Sequence, residues 1–219
     1  MSGPPLTAVL PVKELAHAKS RLALPDPDRR HLALGFARDT LCAVLTAGRV
    51  DAAVVVTSDE EVAEDLRATA PDRVRVVPDG GTGLGGAVRR GVLAAHADRP
   101  GTAVCVVPAD LPCLRPGDVD RVLTSSGDRG AFVPDLSRTG TTLLVLPPEH
   151  AVTVRYGPGS AGKHAAAGLV PLSDVPRRAR QDVDTLADLL LAIRLGTGPA
   201  TATACERLGL DRYGRREAG

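Results

Sequence analysis

The sequence A-A-V-V-V-T at residues 52–57 is an uninterrupted run of small and apolar residues that ends in a threonine. It lacks the alternation of a half-buried strand and is typical of a parallel strand that helices cover on both faces. Further strands are predicted at residues 7–12, 73–77 and 103–107, and segments with helical spacing of apolar residues separate them. This alternation predicts an α/β fold with a doubly wound, mostly parallel sheet.

The second half of the chain departs from this alternation. Two strands are predicted at residues 131–134 and 142–146 with no helix between them, which indicates an antiparallel element and therefore a mixed sheet. We expect one domain over residues 1–210 and a frayed, disordered polar tail over 211–219. Helices are predicted at residues 28–47, 59–69, 84–97, 116–125, 185–195 and 199–208.

Composition narrows the function classes. The 219 residues carry 27 basic and 26 acidic side chains, for a net charge of +1, so no strong field favours nucleic acid or a membrane surface. With no Trp, two Phe and two Tyr, the chain also lacks the aromatic residues of a base-stacking platform. No apolar run approaches the length of a membrane span, and no signal peptide precedes the first strand.

The four cysteines are widely spaced and form no C-x-x-C pair, which argues against a zinc or redox site. Cys42 and Cys105 lie in apolar runs, so we expect both thiols to be buried. Free, buried thiols suit a reducing compartment, and together with the absence of a targeting segment they predict a soluble cytoplasmic protein.

Ligands of a doubly wound sheet bind at the carboxyl ends of its strands, so the residues after each strand are the first candidates. Lys13, Lys19, Ser20 and Arg21 follow the first strand and place three cations and a hydroxyl within nine residues. A triphosphate requires that density of positive charge. A solvated basic turn is the alternative, and the position at a strand end favours the binding site.

A glycine-rich segment, P-D-G-G-T-G-L-G-G-A-V at residues 78–88, follows the third strand. Gly83 and Gly85 would allow the backbone to approach a nucleotide closely, although a flexible turn has the same composition. The segment differs from a dinucleotide fingerprint, which belongs after the first strand, and the chain has no P-loop motif.

Two acidic segments contain candidates for holding Mg²⁺. Asp110 stands at the end of the fourth strand between two prolines, and a carboxylate there suits a metal ion bound to phosphates. Asp182 and Asp184 are two residues apart in an extended stretch and would point to the same face. A cap of the following helix is the alternative for each, with Thr185 and Asp188 as a capping box. We prefer Asp184 over Asp182 as the second ligand.

The segment R-Y-G-P-G-S-A-G-K-H at residues 155–164 has the composition of an anion-binding loop. Gly157 and Ser160 offer backbone N–H groups and a hydroxyl beside the cations Arg155 and Lys163. Such a loop suits a phosphate or a carboxylate. Nucleophilic catalysis has little support, because the histidines are scattered and no G-x-S-x-G elbow occurs.

With these segments in order along the chain, the sequence resembles the phosphoenolpyruvate and 2-phospho-L-lactate guanylyltransferases of coenzyme F420 biosynthesis. Of the matching segments, those at residues 10–22 and 156–164 are fairly specific in combination, whereas A-D-L-P at 109–112 occurs in many nucleotidyltransferases. The segments are L-P-V-K-x-L-x-x-A-K-S-R-L at 10–22, A-D-L-P at 109–112, G-T-T-L-L at 140–144, Y-G-P-G-S-A-G-K-H at 156–164 and D-V-D-T at 182–185.

The resemblance implies a Rossmann-like nucleotidyltransferase fold and the transfer of GMP from GTP to a small phospho-acid, and the aspartates described above predict Mg²⁺ as cofactor. It implies that Thr141, Gly157 and Ser160 hold the acceptor's phosphate, with Thr142 less suited to that role. Arg155 and Lys163 would then offset the acceptor's negative charges. On this hypothesis the catalytic residues are Lys13, Lys19, Arg21 and Asp110, the nucleotide-binding residues are Lys13, Ser20, Gly83 and Gly85, and the metal ligands are Asp110 and Asp184.

The sequence also departs from the family pattern. Gly85 replaces a frequent asparagine, which leaves the basis of guanine selection open. Tyr156 replaces a frequent phenylalanine, and Thr142 replaces a common asparagine.

Phosphoenolpyruvate is the preferred acceptor, with 2-phospho-L-lactate and 3-phosphoglycerate as alternatives. A molybdopterin or sugar-phosphate transferase is disfavoured because L-P-V-K stands where those enzymes carry a glycine-rich signature. A non-catalytic nucleotide-binding regulatory protein is the alternative from another class, and a homodimer is the candidate assembly.

Overall fold

The computed structural model describes residues 4–148 and 154–213. Its centre is a seven-stranded mixed sheet with helices on both faces, as the sequence predicts. The strands are β1 Leu6–Pro11, β2 Val50–Val56, β3 Val74–Val77, β4 Val104–Val106, β5 Ala131–Pro134, β6 Thr141–Leu146 and β7 Val170–Pro171.

The strands lie in the order β3-β2-β1-β4-β6-β5-β7. β1 is parallel to β2 and β4, whereas β6 is antiparallel to both of its neighbours, β4 and β5. The chain therefore moves outward from β1 in one direction to β2 and β3, and in the other direction to β4. This reversal is the topological switch point at which open α/β sheets bind ligands.

Of the seven α-helices that the described residues form, six match the predicted segments to within two residues at each end. Capping contributes to this agreement, because the carboxylate of Asp59 accepts a hydrogen bond from the Val62 backbone N–H at the start of the second helix. The helices are α1 Asp26–Thr46, α2 Glu60–Thr69, α3 Gly83–Asp98, α4 Pro116–Ser126, α5 Ser160–Ala166, α6 Leu186–Leu195 and α7 Pro199–Arg207.

The sequence did not predict α5, because its glycine and proline neighbours indicate a loop. Gly159 caps this helix in the left-handed region at φ 70, and the buried residues Ser160, Ala161 and His164 lie on one helical face. The last part of the anion-binding loop is therefore the first part of a short helix, and His164 faces the core.

The alternation of side chains along the strands divides the core between the two faces of the sheet. Ala8 and Leu10 of β1 belong to one cluster, which includes buried residues of α1, α2 and α4, while Val9 belongs to the other cluster under α3. No helix within the described ranges combines the length and the hydropathy that crossing a bilayer requires.

Two sequence predictions were wrong. Cys42 is exposed, because Leu41, Val44 and Leu45 take the inward stripe of α1, whereas Cys105 is buried on β4 as expected. Residues 211–213, assigned to the disordered tail, form a 3-10 helix that packs against α6 and α7. The rest of that tail, residues 214–219, lies outside the described residues.

Gly91 provides a stability prediction. A Cβ atom added there would lie 2.4 Å from Cγ1 of Val9 and 2.7 Å from Cγ2 of Val56, so α3 lies too close to the sheet for any side chain. Gly91→Ala should lower the free energy of unfolding by about 1–3 kcal/mol in urea denaturation.

Gly162→Ala in α5 is the matched control, because a Cβ atom there meets nothing within 4 Å. It should leave stability unchanged or raise it by up to ~1 kcal/mol through helix propensity. Equal stability of the two variants would contradict the close packing of α3 on the sheet.

Candidate functional site

A cleft of about 860 Å³ opens at the carboxyl ends of β1 and β4. It lies at the topological switch point, where the sequence places its candidate residues. The segment after β1, the glycine-rich segment, the end of β4, Gly157 and Asp184 all contribute to its lining. Residues far apart in the sequence therefore converge on one volume large enough for a ligand.

The most specific contact in this cleft is an ion-pair network around Lys19. Lys19 Nζ donates to Asp110 Oδ2 at 2.7 Å and to Asp184 Oδ1 at 3.0 Å. Burial alone would lower the pKa of Lys19, but the charges of Asp110 and Asp184 more than offset burial and raise that pKa, so the amine stays protonated. One ammonium group thus holds two carboxylates from distant parts of the chain in the same place.

The backbone at Lys19 is also unusual. Lys19 has φ 53 and ψ 34, in the left-handed region that residues with a side chain seldom adopt. The neighbouring segment is fixed by the buried side chains of Leu15 and Leu22 and by the Leu15 N–H, which donates to Asp59 Oδ2 at 2.9 Å. Surrounding packing therefore holds the strained backbone that aims Lys19 at the two aspartates.

Asp182 and Asp184 occupy different environments. Asp184 lines the cleft and pairs with Lys19, whereas Asp182 is partly buried beside Asp110 and Asp184. Burial, followed by the charges of those two aspartates, raises the pKa of Asp182 to about 7. Among the residues that the structure describes, no group of three or more His, Cys, Asp or Glu side chains has a geometry that holds a metal ion.

The remaining predicted residues after β1 also line the cleft. Lys13, Ser20 and Arg21 are exposed around its rim, with Lys19 deeper between them. Three cations therefore border the same volume, and two of them are not paired to a carboxylate by any hydrogen bond or salt bridge within residues 4–148 and 154–213. The charge density expected for a triphosphate is present in space as well as in sequence.

The glycine-rich segment contributes residues along most of its length to the cleft. Gly83, at φ 71, lines the cleft at the start of α3, whereas Gly85 is not among the lining residues. Asp79, which the sequence interpretation missed, also lines the cleft and accepts from Ser58 Oγ at 2.7 Å and from the Gly81 N–H at 2.9 Å. Both hydrogen bonds lower the pKa of Asp79, and the bond from the Gly81 backbone has the larger effect. The sequence signal for Asp79 is its position just after the predicted third strand.

The predicted acceptor residues are only partly exposed to the cleft. Gly157 lines it at φ 112, whereas Thr141 and Ser160 are 8% and 2% exposed. Arg155 and Lys163 are exposed but do not line the cleft in the described structure. The acceptor side is thus less open than the side that carries Lys13 and Arg21.

A β-bulge decides which threonine faces this region. Val133 pairs with Leu143 but Pro134 pairs with Thr141, so Thr142 is the extra residue of β6. A bulge reverses the direction of the side chains that follow it. Thr142 accordingly donates its hydroxyl to the Ala179 carbonyl at 2.6 Å, while Thr141 Oγ1 lies 2.9 Å from His164 Nδ1.

Comparisons with known proteins agree with this geometry. The family described as "Guanylyl transferase CofC like" matches residues 6–169. The chain is 45% identical over 208 residues to a phosphoenolpyruvate guanylyltransferase of Streptomyces scabiei, with 92% of this chain and 96% of the relative covered. It is 42% identical over 206 residues to a phosphoenolpyruvate guanylyltransferase of Streptomyces coelicolor, with 92% and 96% covered.

Solved structures share the fold at lower identity. A 4-diphosphocytidyl-2C-methyl-D-erythritol synthase superposes with a TM-score of 0.63 at 16% identity, covering 88% of this chain and 99% of that one. A cytidylyltransferase from Leptospira borgpetersenii superposes with a TM-score of 0.54 at 14% identity, covering 99% of both chains. The fold is that of the nucleotidyltransferases, and the match over most of its length shows that the chain belongs to the CofC-like guanylyl transferase family.

Proposed function

We propose that this chain transfers GMP from GTP to phosphoenolpyruvate, giving enolpyruvoyl-2-diphospho-5'-guanosine and pyrophosphate, as a step of coenzyme F420 biosynthesis. The observation that carries the proposal is the Lys19–Asp110–Asp184 network in a cation-lined cleft at the switch point. Family membership and the names of the relatives support the same reaction.

The chemistry is a displacement at the α-phosphorus of GTP. A phosphate oxygen of the acceptor forms a bond to that phosphorus, and the bond from the phosphorus to the α–β bridging oxygen breaks, so pyrophosphate leaves with the bonding electrons. The acceptor oxygen is already anionic and needs no strong general base. Positioning and neutralisation of charge therefore carry most of the catalysis.

On the nucleotide side, Lys13, Lys19 and Arg21 would neutralise the triphosphate and the leaving pyrophosphate. Ser20 contributes a hydroxyl beside them, and Gly83 lets the backbone of the glycine-rich segment come close to the nucleotide. Gly85 is proposed for the same role, from two residues further into α3.

The carboxylates fit a magnesium ion. Asp110 and Asp184 both lie within hydrogen-bonding distance of one cationic atom, Lys19 Nζ, so their oxygens already converge on one positive charge. Mg²⁺ is commonly held by one or two carboxylates together with substrate phosphates and waters. When bound, it would supply charge neutralisation at the phosphates. Asp110 and Asp184 are the residues proposed to hold it.

On the acceptor side, Thr141, Gly157 and Ser160 are proposed to hold the phosphate of phosphoenolpyruvate. The support is geometric, because the bulge in β6 turns Thr141 toward α5, where Ser160 lies on the same buried face as His164. Gly157 joins this region to the cleft. The alternative acceptors 2-phospho-L-lactate and 3-phosphoglycerate would present the same phosphate and carboxylate groups to these residues.

Pyrophosphate release tests the proposed function. The purified chain is incubated with Mg²⁺ and with GTP or ATP, against each of phosphoenolpyruvate, 2-phospho-L-lactate and 3-phosphoglycerate. The fastest release should occur with GTP and phosphoenolpyruvate, with no release when either substrate is omitted. Binding of GTP without release with any acceptor would instead favour a nucleotide-binding regulatory protein.

A further inference from the structure

His164 is a buried histidine that uses both of its ring nitrogens. It is 0% exposed on α5, its Nδ1 lies 2.9 Å from Thr141 Oγ1, and its Nε2 accepts the Arg155 backbone N–H at 3.1 Å. The ring therefore links α5 to the first residue of β6 and to the segment that leads into Gly157. No part of the proposed chemistry so far assigns it a role.

The two hydrogen bonds determine where the ring carries its proton. A backbone N–H can only donate, so Nε2 must be unprotonated to accept from Arg155. Burial, followed by the charge of Arg155, lowers the pKa of His164, so the ring is neutral near pH 7. A neutral imidazole carries one proton, which therefore lies on Nδ1 and is donated to Thr141 Oγ1.

This donation determines what the Thr141 hydroxyl can do. Its oxygen accepts from His164, so its own proton remains to be donated to another group. Within the described ranges, Thr141 Oγ1 has no hydrogen-bond partner other than His164 Nδ1, so no protein group accepts the hydroxyl proton. A hydroxyl that points its proton outward can donate a hydrogen bond to an anion, whereas one that points its lone pairs outward would repel the anion.

We propose that His164 is a positioning residue that fixes the Thr141 hydroxyl as a hydrogen-bond donor to the phosphate of the acceptor. The inference rests on the proposed function, because it requires Thr141 to contact the acceptor. The same ring fixes the Arg155 backbone, so it orders both the threonine and the approach to Gly157.

Aromatic neighbours hold the ring in this orientation. Its centroid lies 5.5 Å from that of Tyr156 in an edge-to-face arrangement at 80°, and 5.7 Å from that of Phe132. These contacts restrict rotation of the imidazole, which would exchange donor and acceptor. A phenyl ring at position 164 would keep similar packing and lose both hydrogen bonds, so His164→Phe isolates the polar role.

A double-mutant cycle tests the positioning role. His164→Phe should raise KM for phosphoenolpyruvate roughly tenfold or more, the effect of losing one well-oriented hydrogen bond to a charged group, with KM for GTP unchanged. Thr141→Val should have a similar effect, and the double variant should be no more than about twofold worse than Thr141→Val.

His164→Asn is the rescue variant, because its amide can still donate toward Thr141, and it should recover most of the loss in KM. The proposal would be overturned if the rise in KM for phosphoenolpyruvate in the double variant equalled the product of the two single rises, or if KM for GTP rose equally. Either result would assign His164 a merely structural role.

An NMR measurement on the free wild-type protein tests the tautomer separately from activity. With ¹⁵N-labelled histidine at pH 7, the His164 signal, identified by its loss in the variants, should show a protonated Nδ1 and an unprotonated Nε2. A proton on Nε2 overturns the inference even in an active enzyme. Failure of the proposed function is distinguishable, since the wild type would then release no pyrophosphate with any of the three acceptors.

Discussion

Asp110→Asn should lower kcat at least ~100-fold, a loss of ~3 kcal/mol in stabilisation of the transition state. Asparagine has the same shape but no charge, so it breaks the ion pair with Lys19 at 2.7 Å and removes a proposed ligand of Mg²⁺. Asp184 alone would then face the ammonium group. The measurement is the rate of pyrophosphate release at saturating GTP and phosphoenolpyruvate, over a range of Mg²⁺ concentrations.

Asp120→Asn is the matched control for this substitution. Asp120 accepts a hydrogen bond from the Gly48 N–H at 2.9 Å, outside the cleft, and an amide oxygen preserves that bond. Its kcat should match the wild type. Activity of Asp110→Asn within about threefold of the wild type would contradict the role of Asp110 at the transition state.

Lys19→Met should lower kcat/KM for GTP by about 10²–10³. Methionine keeps most of the apolar stem but removes the charge that offsets the triphosphate, and it leaves Asp110 and Asp184 close together without a cation. Their mutual repulsion is then no longer offset by the ammonium group, so the activity of the variant should show an altered dependence on the Mg²⁺ concentration. Steady-state kinetics with GTP varied measures the main effect.

Two further variants serve as controls for Lys19→Met. Lys19→Arg keeps the charge but replaces a compact ammonium with a planar fork, so it should restore activity only in part. Arg67→Met, on the exposed part of α2, removes a cation outside the cleft and should have no effect. A Lys19→Met enzyme with unchanged kcat/KM would show that the Lys19 network is structural.

The sequence predicts the parallel half of the sheet well, because the valine-rich run at residues 52–57 and the strands beside it have few alternatives. It also predicts which residues share an edge, since Lys19 and Asp110 each follow a strand whose carboxyl end faces the same side. It does not predict that Lys19 binds Asp110 and Asp184 directly. That contact joins positions 91 and 165 residues apart and depends on the left-handed backbone of Lys19.

The acceptor region was harder to predict for a local reason. A single β-bulge decides whether Thr141 or Thr142 faces α5, and adjacent threonines carry no sequence signal for it. The glycines and the proline that precede His164 indicate a loop, so the sequence does not predict that His164 lies on a helix. The spacing of Ala161 and His164, three residues apart, was the only local indication of a buried helical face.

The most direct test of the proposed function is identification of the product. Purified wild-type protein is incubated with GTP, phosphoenolpyruvate and Mg²⁺, and the mixture is followed by ³¹P NMR and mass spectrometry. The proposal predicts that pyrophosphate appears in equal amount with a diphosphate that joins guanosine to enolpyruvate. Unchanged GTP and phosphoenolpyruvate, with the other two acceptors equally unreactive, would contradict it.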